Sequence, residues 1–127
     1  MKDIKNETSV KSLRNDNKGH VLSYILYYNS DMTFEEHCKE SVTKLGKPFE
    51  EVHRWLDEFA HSEKYGMRHR KVRHHLQGIK EVDRLFGKDA ALAARMHILS
   101  DLKLEGWSEN NDPFPKSEKH YVSMGLY

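Results

Sequence analysis

The sequence has little of several features that mark particular classes of protein. Its single cysteine, Cys38, excludes a disulfide within the chain and favours a reducing compartment. Positive and negative side chains nearly cancel, 21 against 20, so binding to nucleic acid would require a local basic patch. No apolar run approaches the roughly 20 residues that span a bilayer. No glycine-rich phosphate loop occurs either, so no nucleotide cofactor is evident.

The 127 residues are enough for about one domain with a modest core. Residues 1–19 are polar and aperiodic, which predicts a flexible N-terminal arm, and residues 20–127 are predicted to form a single helical domain. The N-terminus carries no hydrophobic signal region, so we expect a cytoplasmic protein with no membrane partner.

Local signals predict an all-α fold. Thr33 and Glu36 form a capping box for a helix that should run to Leu45, with Gly46 in the left-handed position after it. Pro48 is placed as the first residue of a second helix, which is predicted to end near 64–66.

Two further helices follow. Apolar spacing predicts a third helix over 68–86, with Gly87 as its stop, and a fourth over 90–104 capped by Asp89. The tail at 116–127 is predicted to hold a short helix or an edge strand. VLSYILYY, from Val21 to Tyr28, suits either a strand or a buried helical turn. Together these elements predict a compact bundle of about four main helices.

Nine histidines are the unusual feature of the composition. On the second predicted helix, His53, Asp57 and His61 are four residues apart and share one stripe beside the apolar face. On the fourth, His97 and Asp101 are again four residues apart, on a face with small alanines that lets another helix approach.

The third predicted helix contains the basic stretch RHRKVRHH. With 100° per residue, His75 lies on its apolar face and His69 at the edge of that face, whereas Arg70, Lys71, Arg73 and His74 point outward. Histidine and carboxylate groups near a helix seam are typical of metal sites in helical bundles, and they suit zinc, manganese, iron or nickel. The predicted ligands of a divalent metal are His53, Asp57, His69, His97 and Asp101, with His61 and His75 as possible additions.

Two functions are compatible with this pattern. A metal-dependent phosphohydrolase would activate water at the metal and hold the anionic oxygens of a phosphorylated small molecule with Arg70 and Arg73. The alternative is a non-catalytic binding protein, in which the histidines complete a polar core and the basic helix contacts an acidic protein or nucleic acid.

Two resemblances add to this interpretation. HRWLD, followed by RHRKVRHHLQG, RLFG and a histidine and aspartate four apart, resembles a family of small uncharacterised bacterial and phage proteins with an HxWxD segment and an RHRxxRHHxxG motif. The resemblance covers about 34–107. It implies a shared pattern made of His53, Asp57, Arg68, His69, Arg70, Arg73, His74, His75, Gly78, His97 and Asp101.

The second resemblance is in outline only. Helices with scattered histidines, followed by the alanine-rich AALAARMHILSDL, are similar to HD-type phosphohydrolases, which implies metal-dependent hydrolysis of a phosphoester. Those enzymes hold metal with a His-Asp dipeptide, whereas His97 is followed here by Ile98.

Overall fold

The computed structural model describes residues 32–127, so the predicted arm and the VLSYILYY segment lie outside the described residues. Within this range the chain is helical and has no strand, which confirms the all-α prediction. The elements are α1 (Phe34–Leu45), α2 (Glu50–Leu56), a 3₁₀ turn (Gly66–Arg68), α3 (Arg70–Arg73), α4 (Leu76–Phe86), α5 (Lys88–Leu104) and α6 (Glu118–Ser123).

Helix α1 begins and ends where the sequence predicts. The Thr33 hydroxyl accepts a hydrogen bond from the Glu36 amide, and the Glu36 carboxylate accepts one from the Thr33 amide. Gly46 closes the helix in the left-handed conformation with φ 85°, which glycine adopts without steric cost. These local caps fix both ends of α1.

Helix α2 is shorter than predicted. It starts at Glu50 after Phe49, which has a left-handed φ of 52°, so Pro48 is not its first residue. It stops at Leu56 instead of near 64–66, because the Asp57 backbone leaves the helical conformation and its side chain is held by two histidines from elsewhere in the chain. A segment of turns then leads to the 3₁₀ turn.

The predicted third helix is interrupted, which corrects the interpretation of the basic stretch. Helix α3 is a single turn; the backbone then departs at His74 and becomes extended at His75. The His75 side chain accepts a hydrogen bond from the Gly78 amide and caps α4. The amides of Leu76 and Gln77 donate to the carbonyls of Pro115 and Lys116, so the tail satisfies the first turn of α4.

Helices α4 and α5 form a tight hairpin around Gly87, whose φ of 100° favours glycine. Helix α5 therefore begins at Lys88, two residues before the predicted start, and Asp89 lies within its first turn. The tail forms the short helix α6, one of the two predicted alternatives.

The buried interior is unusually polar. Within residues 32–127, ten buried hydrophobic residues, among them Ala93, Ala94 and Ile98 on α5, pack beside ten buried polar or charged residues, of which six are histidines. Buried charges are costly unless they are paired, so this polar half of the core must be organised by its own contacts. No helix within residues 32–127 is long and apolar enough to cross a membrane.

Candidate metal centre

Side chains from four helical elements converge on one buried cluster. Helix α1 contributes His37, and α2 contributes His53. Asp57 and His74 directly follow α2 and α3, respectively. Helix α5 contributes His97 and Asp101. Two overlapping groups have their nitrogen and oxygen atoms within 4.8 Å of one another: His37, His53 and His97 in the first, and Asp57, His74, His97 and Asp101 in the second.

His97 lies between the two carboxylates. Its Nε2 is 3.3 Å from Asp57 Oδ2 and 3.3 Å from Asp101 Oδ2, and it has no hydrogen-bond partner among the described residues. Ligands about 2.0–2.1 Å from a tetrahedral zinc ion are about 3.3–3.4 Å apart. The distances from His97 Nε2 to the two carboxylate oxygens therefore match those between ligands of a common ion.

His74 faces both carboxylates. Its Nε2 donates to Asp57 Oδ1 at 3.1 Å, while its Nδ1, 3.6 Å from Asp101 Oδ2, has no hydrogen-bond partner among the described residues. Metal-binding histidines commonly donate their second ring N–H to a carboxylate in this way. A neutral His74 consequently directs a lone pair at an anionic oxygen, which is repulsive unless a cation lies between them.

A hydrogen-bond chain runs from His97 away from the carboxylates. The Nδ1 atoms of His97 and His53 are 2.9 Å apart, and His53 Nε2 is 2.8 Å from Ser41 Oγ. If His97 Nδ1 donates to His53, then His53 Nε2 can donate to the serine hydroxyl, and His97 Nε2 is directed at the carboxylates. These hydrogen bonds orient the His97 ring from the side opposite the carboxylates.

His37 is the remaining member of the cluster. Its ring stacks on that of His97 with the centroids 3.6 Å apart, and its Nε2 is 3.3 Å from Asp101 Oδ1. Neither ring nitrogen has a hydrogen-bond partner within the described residues, nor does this oxygen. Asp101 thus presents one oxygen to His97 and the other to His37.

The histidines of the cluster differ in charge preference. Burial and the neighbouring His97 and His37 lower the pKa of His53 to about 3, and burial lowers that of His74 to about 4 although Asp57 opposes it. Burial also disfavours charge on His97, but Asp57 and Asp101 raise its pKa to about 10.

Both carboxylates prefer to stay ionised. Burial alone would raise their pKa values. The attraction of His97 and the hydrogen bonds from His69 and His74 hold the pKa of Asp57 well below the usual range, and the attraction of Arg70 and of the neighbouring histidines does the same for Asp101. Near neutral pH the cluster therefore presents two anionic carboxylates and the neutral imidazoles of His53 and His74, and His97 holds a proton between the carboxylates.

Solvent reaches the cluster from one side. The side chain of Asp57 is 31% exposed, whereas those of His74, His97 and Asp101 are at most 3% exposed. A ligand or water molecule would therefore approach along Asp57.

The structure brings most of the sequence-predicted ligands together. His53, Asp57, His97 and Asp101 all lie in the cluster. His69 lies at its edge, where Nε2 contacts Asp57 Oδ1 at 3.1 Å and Nδ1 contacts the Gly66 carbonyl at 3.0 Å.

The two additional ligand candidates, His61 and His75, lie outside the cluster. His61 is exposed on the segment after α2, because α2 ends before the stripe reaches it. His75 donates from Nε2 to the Val72 carbonyl while its Nδ1 caps α4, so both nitrogens are engaged away from the cluster.

The predicted orientation of the basic stretch is wrong for two residues. Arg70 is buried and pairs with Glu105. His74 is buried in the cluster because α3 ends at Arg73 and the backbone turns at His74. Arg73 is half-buried: its guanidinium lies 3.9 Å from the Trp55 ring centroid and donates to Glu58 and to the Trp55 carbonyl. Arg68 is exposed and lies over the Tyr127 ring.

Sequence reasoning missed His37 and His74 as members of the cluster. His74 is hidden by the assumption of one continuous helix. His37 could have been found, since His37 and Ser41 are four residues apart on α1 and both are buried.

The fold and the cluster together define an all-helical domain with a buried histidine and aspartate centre of the kind that can hold a metal ion. Residues 32–106 match the family described as Domain of unknown function (DUF6915), and the chain belongs to this family. The match begins just before α1 and ends just after α5, so it contains every residue of the cluster.

Comparison with curated proteins and with solved structures found no match. The function of the protein is therefore inferred from the geometry of the cluster.

Proposed function

We propose that the cluster binds a divalent metal ion through Asp57, His74, His97 and Asp101. The observation that carries the proposal is the convergence of two buried ring nitrogens, His74 Nδ1 and His97 Nε2, that have no hydrogen-bond partner among the described residues. They lie 3.3–3.6 Å from carboxylate oxygens, close to the separations between metal ligands. A cation at their centre would satisfy His74 Nδ1, would replace the proton on His97 Nε2, and would neutralise both carboxylates.

The donor set suits several ions. Two imidazoles and two carboxylates are compatible with zinc, and the carboxylate content also favours manganese or iron; nickel is the remaining candidate. His37 Nε2, beside the second oxygen of Asp101, could add a fifth ligand for an ion that prefers a larger coordination number. The metal would lie beneath Asp57, the one ligand side chain that reaches solvent.

For an enzyme, this geometry supports metal-assisted hydrolysis. A catalytic metal keeps an exchangeable position for water, and the exposed side of Asp57 provides access to it. A phosphorylated small molecule is the substrate class we propose, in keeping with the outline similarity to HD-type phosphohydrolases. The chain differs from them in placing His97 and Asp101 one helical turn apart instead of joining a histidine and an aspartate in a dipeptide.

The first test is elemental analysis of protein purified without an affinity tag or chelator. We expect about one equivalent of a transition metal per chain, because the four proposed ligands form a single site. His97→Ala and Asp101→Asn should lose the metal, whereas His61→Ala, which removes an exposed histidine outside the cluster, should keep it.

The second part of the test uses a panel of phosphoesters with the metal-loaded protein. Hydrolysis that disappears in Asp101→Asn and persists in His61→Ala would support the enzyme. Metal binding without any hydrolysis would favour a structural or binding role for the centre. Protein that is metal-free and gains no thermal stability from zinc, manganese or nickel would overturn the metal site and favour the non-catalytic alternative.

A further inference from the structure

Glu105, the residue that ends α5, connects the cluster to the C-terminal tail. Its carboxylate is buried and accepts hydrogen bonds from at least three donors: Oε2 accepts from Arg70 Nη1 at 3.2 Å and from the Tyr121 hydroxyl at 3.3 Å, and Oε1 accepts from the Tyr127 amide at 2.7 Å. Two of the three donors belong to the tail.

Arg70 lies between this carboxylate and the candidate metal ligands. Its Nη1 is 3.2 Å from Glu105 Oε2, whereas its Nε is 3.6 Å from Asp101 Oδ2. The guanidinium is 3% exposed, so solvent screens its charge poorly. Of these two carboxylates, Glu105 is therefore the closer to the buried cation and Asp101 the more distant.

We infer that Glu105, held in place by Tyr121 and by the Tyr127 amide, is a positioning residue that keeps Arg70 from competing with the metal for Asp101. This inference rests on the proposed metal centre. Of these two carboxylates, only that of Asp101, 3.6 Å from Arg70 Nε, would remain in Glu105→Gln. A tighter Arg70–Asp101 pair would reduce the negative charge available to the metal and would turn Asp101 Oδ2 away from His97.

The tail thereby becomes part of the support of the centre. Tyr121 and Tyr127 lie beyond residue 106, outside the family match, whereas Glu105, Arg70 and Asp101 lie inside it. In addition, Arg68 lies over the Tyr127 ring with its guanidinium carbon 4.8 Å from the centroid. The tail thus contacts Glu105 at the end of α5, the helix of His97 and Asp101, through hydrogen bonds that do not involve either of these proposed ligands.

The test measures affinity for Zn²⁺, by competition with a chromophoric chelator, and the visible absorption spectrum of the Co²⁺-loaded protein. The variants are Glu105→Gln, the double variant Arg70→Gln with Glu105→Gln, and Tyr121→Phe. Tyr65→Phe is the matched control, since it removes a tyrosine hydroxyl that makes no contact with Glu105. Tyr121→Phe keeps the test decisive should Glu105→Gln fail to fold.

We expect Glu105→Gln to weaken Zn²⁺ binding by about 10- to 100-fold, the usual effect of losing a residue that orients a metal ligand. Tyr121→Phe should weaken it less, and Tyr65→Phe should not change it. The double variant should recover affinity towards the wild type, because it removes the competing cation as well. The Co²⁺ spectrum should change in Glu105→Gln and return in the double variant.

Equal Zn²⁺ affinity in wild type, Glu105→Gln and Tyr121→Phe would overturn the inference while leaving the metal centre intact. A double variant that binds as weakly as Glu105→Gln would also overturn it, since a purely structural role predicts no recovery. Absence of Zn²⁺ binding by the wild type would instead overturn the metal centre, and the inference with it.

Discussion

At the scale of single residues, the role of each histidine follows from what its two ring nitrogens contact. His74 and His75 are adjacent, yet His74 lies in the cluster and its Nδ1 has no hydrogen-bond partner among the described residues. Both ring nitrogens of His75 form hydrogen bonds with the backbone. Burial does not distinguish them, because both side chains are buried. The contacts of the nitrogens do, and they distinguish a proposed metal ligand, His74, from a helix cap, His75.

The first residue-scale prediction concerns this pair. His75→Ala should lower the free energy of unfolding by about 1 kcal/mol, the usual cost of removing an N-cap acceptor, and should leave metal content unchanged. His75→Asn should retain most of the stability, because its amide oxygen can accept from the Gly78 amide. Urea denaturation and elemental analysis check both variants. Loss of metal in His75→Asn with the fold intact would make His75 a ligand after all.

The sequence predicted part of the cluster for a clear reason. His97 and Asp101 are on one long helix, where four-residue spacing fixes their relative positions whatever the rest of the chain does. His53 and Asp57 meet the same condition because α2 extends almost to Asp57. His74 does not, since its direction depends on a backbone turn that helical periodicity does not contain.

At the scale of elements, the interruption after α3 depends on a close approach of two backbones. A Cβ atom added at Gly78 on α4 would overlap the carbonyl oxygen of Arg73 on α3, and it would lie 2.7 Å from the Arg73 carbonyl carbon. The Arg73 side chain is fixed on the other side by the Trp55 ring and Glu58. The glycine therefore permits the sharp turn that brings His74 into the cluster.

Gly78→Ala should accordingly destabilise the protein in spite of the better helix propensity of alanine. An overpacked site typically costs about 1–3 kcal/mol, and the obstacle here is backbone, which cannot rotate away. Gln77→Ala, at an exposed position on the same helical turn, is the control and should change stability by less than about 0.5 kcal/mol. Thermal unfolding of the two variants measures the difference. Similar melting temperatures for both would refute the close approach.

The ends of the elements divide into two kinds. The ends of α1 are set by residues within a few positions of them, Thr33, Glu36 and Gly46, and were predicted correctly. The end of α2 at Asp57 and the break at His74 are set by partners distant in sequence, so propensity and periodicity could not locate them. A glycine inside the apolar pattern at Gly78 was the available signal for a close approach.

At the scale of the whole molecule, the buried charges of the cluster affect the stability of the metal-free protein. Two carboxylates with depressed pKa values share a buried site with His97, whose pKa is raised, while His53 and His74 are neutral. The fold must hold this charge arrangement with little help from solvent, which reaches only Asp57 among the proposed ligands. Its stability should therefore depend on pH through these groups.

Below neutral pH, stability should fall. His53 and His74 have folded-state pKa values of about 3 and about 4, below the ordinary value of 6.5, so the unfolded chain binds protons that the folded chain refuses. Each contributes a loss of at most about 1.4 kcal/mol per pH unit as the pH drops from 6.5 towards 4. The carboxylates act lower still, because their stabilising contribution is lost only as the pH falls below the ordinary value of 3.8.

Above neutral pH the sign reverses through His97. Its folded-state pKa of about 10 means that the folded chain keeps a proton that the unfolded chain has lost above 6.5, so this contribution declines as the pH rises towards 10. Metal-free protein should therefore be most stable near pH 6.5 in urea denaturation across pH 4.5–9.5. His53→Asn should flatten the acidic side, and His61→Ala should leave it unchanged. A stability that rises steadily from pH 6.5 to pH 9 would contradict a protonated His97 between the two carboxylates.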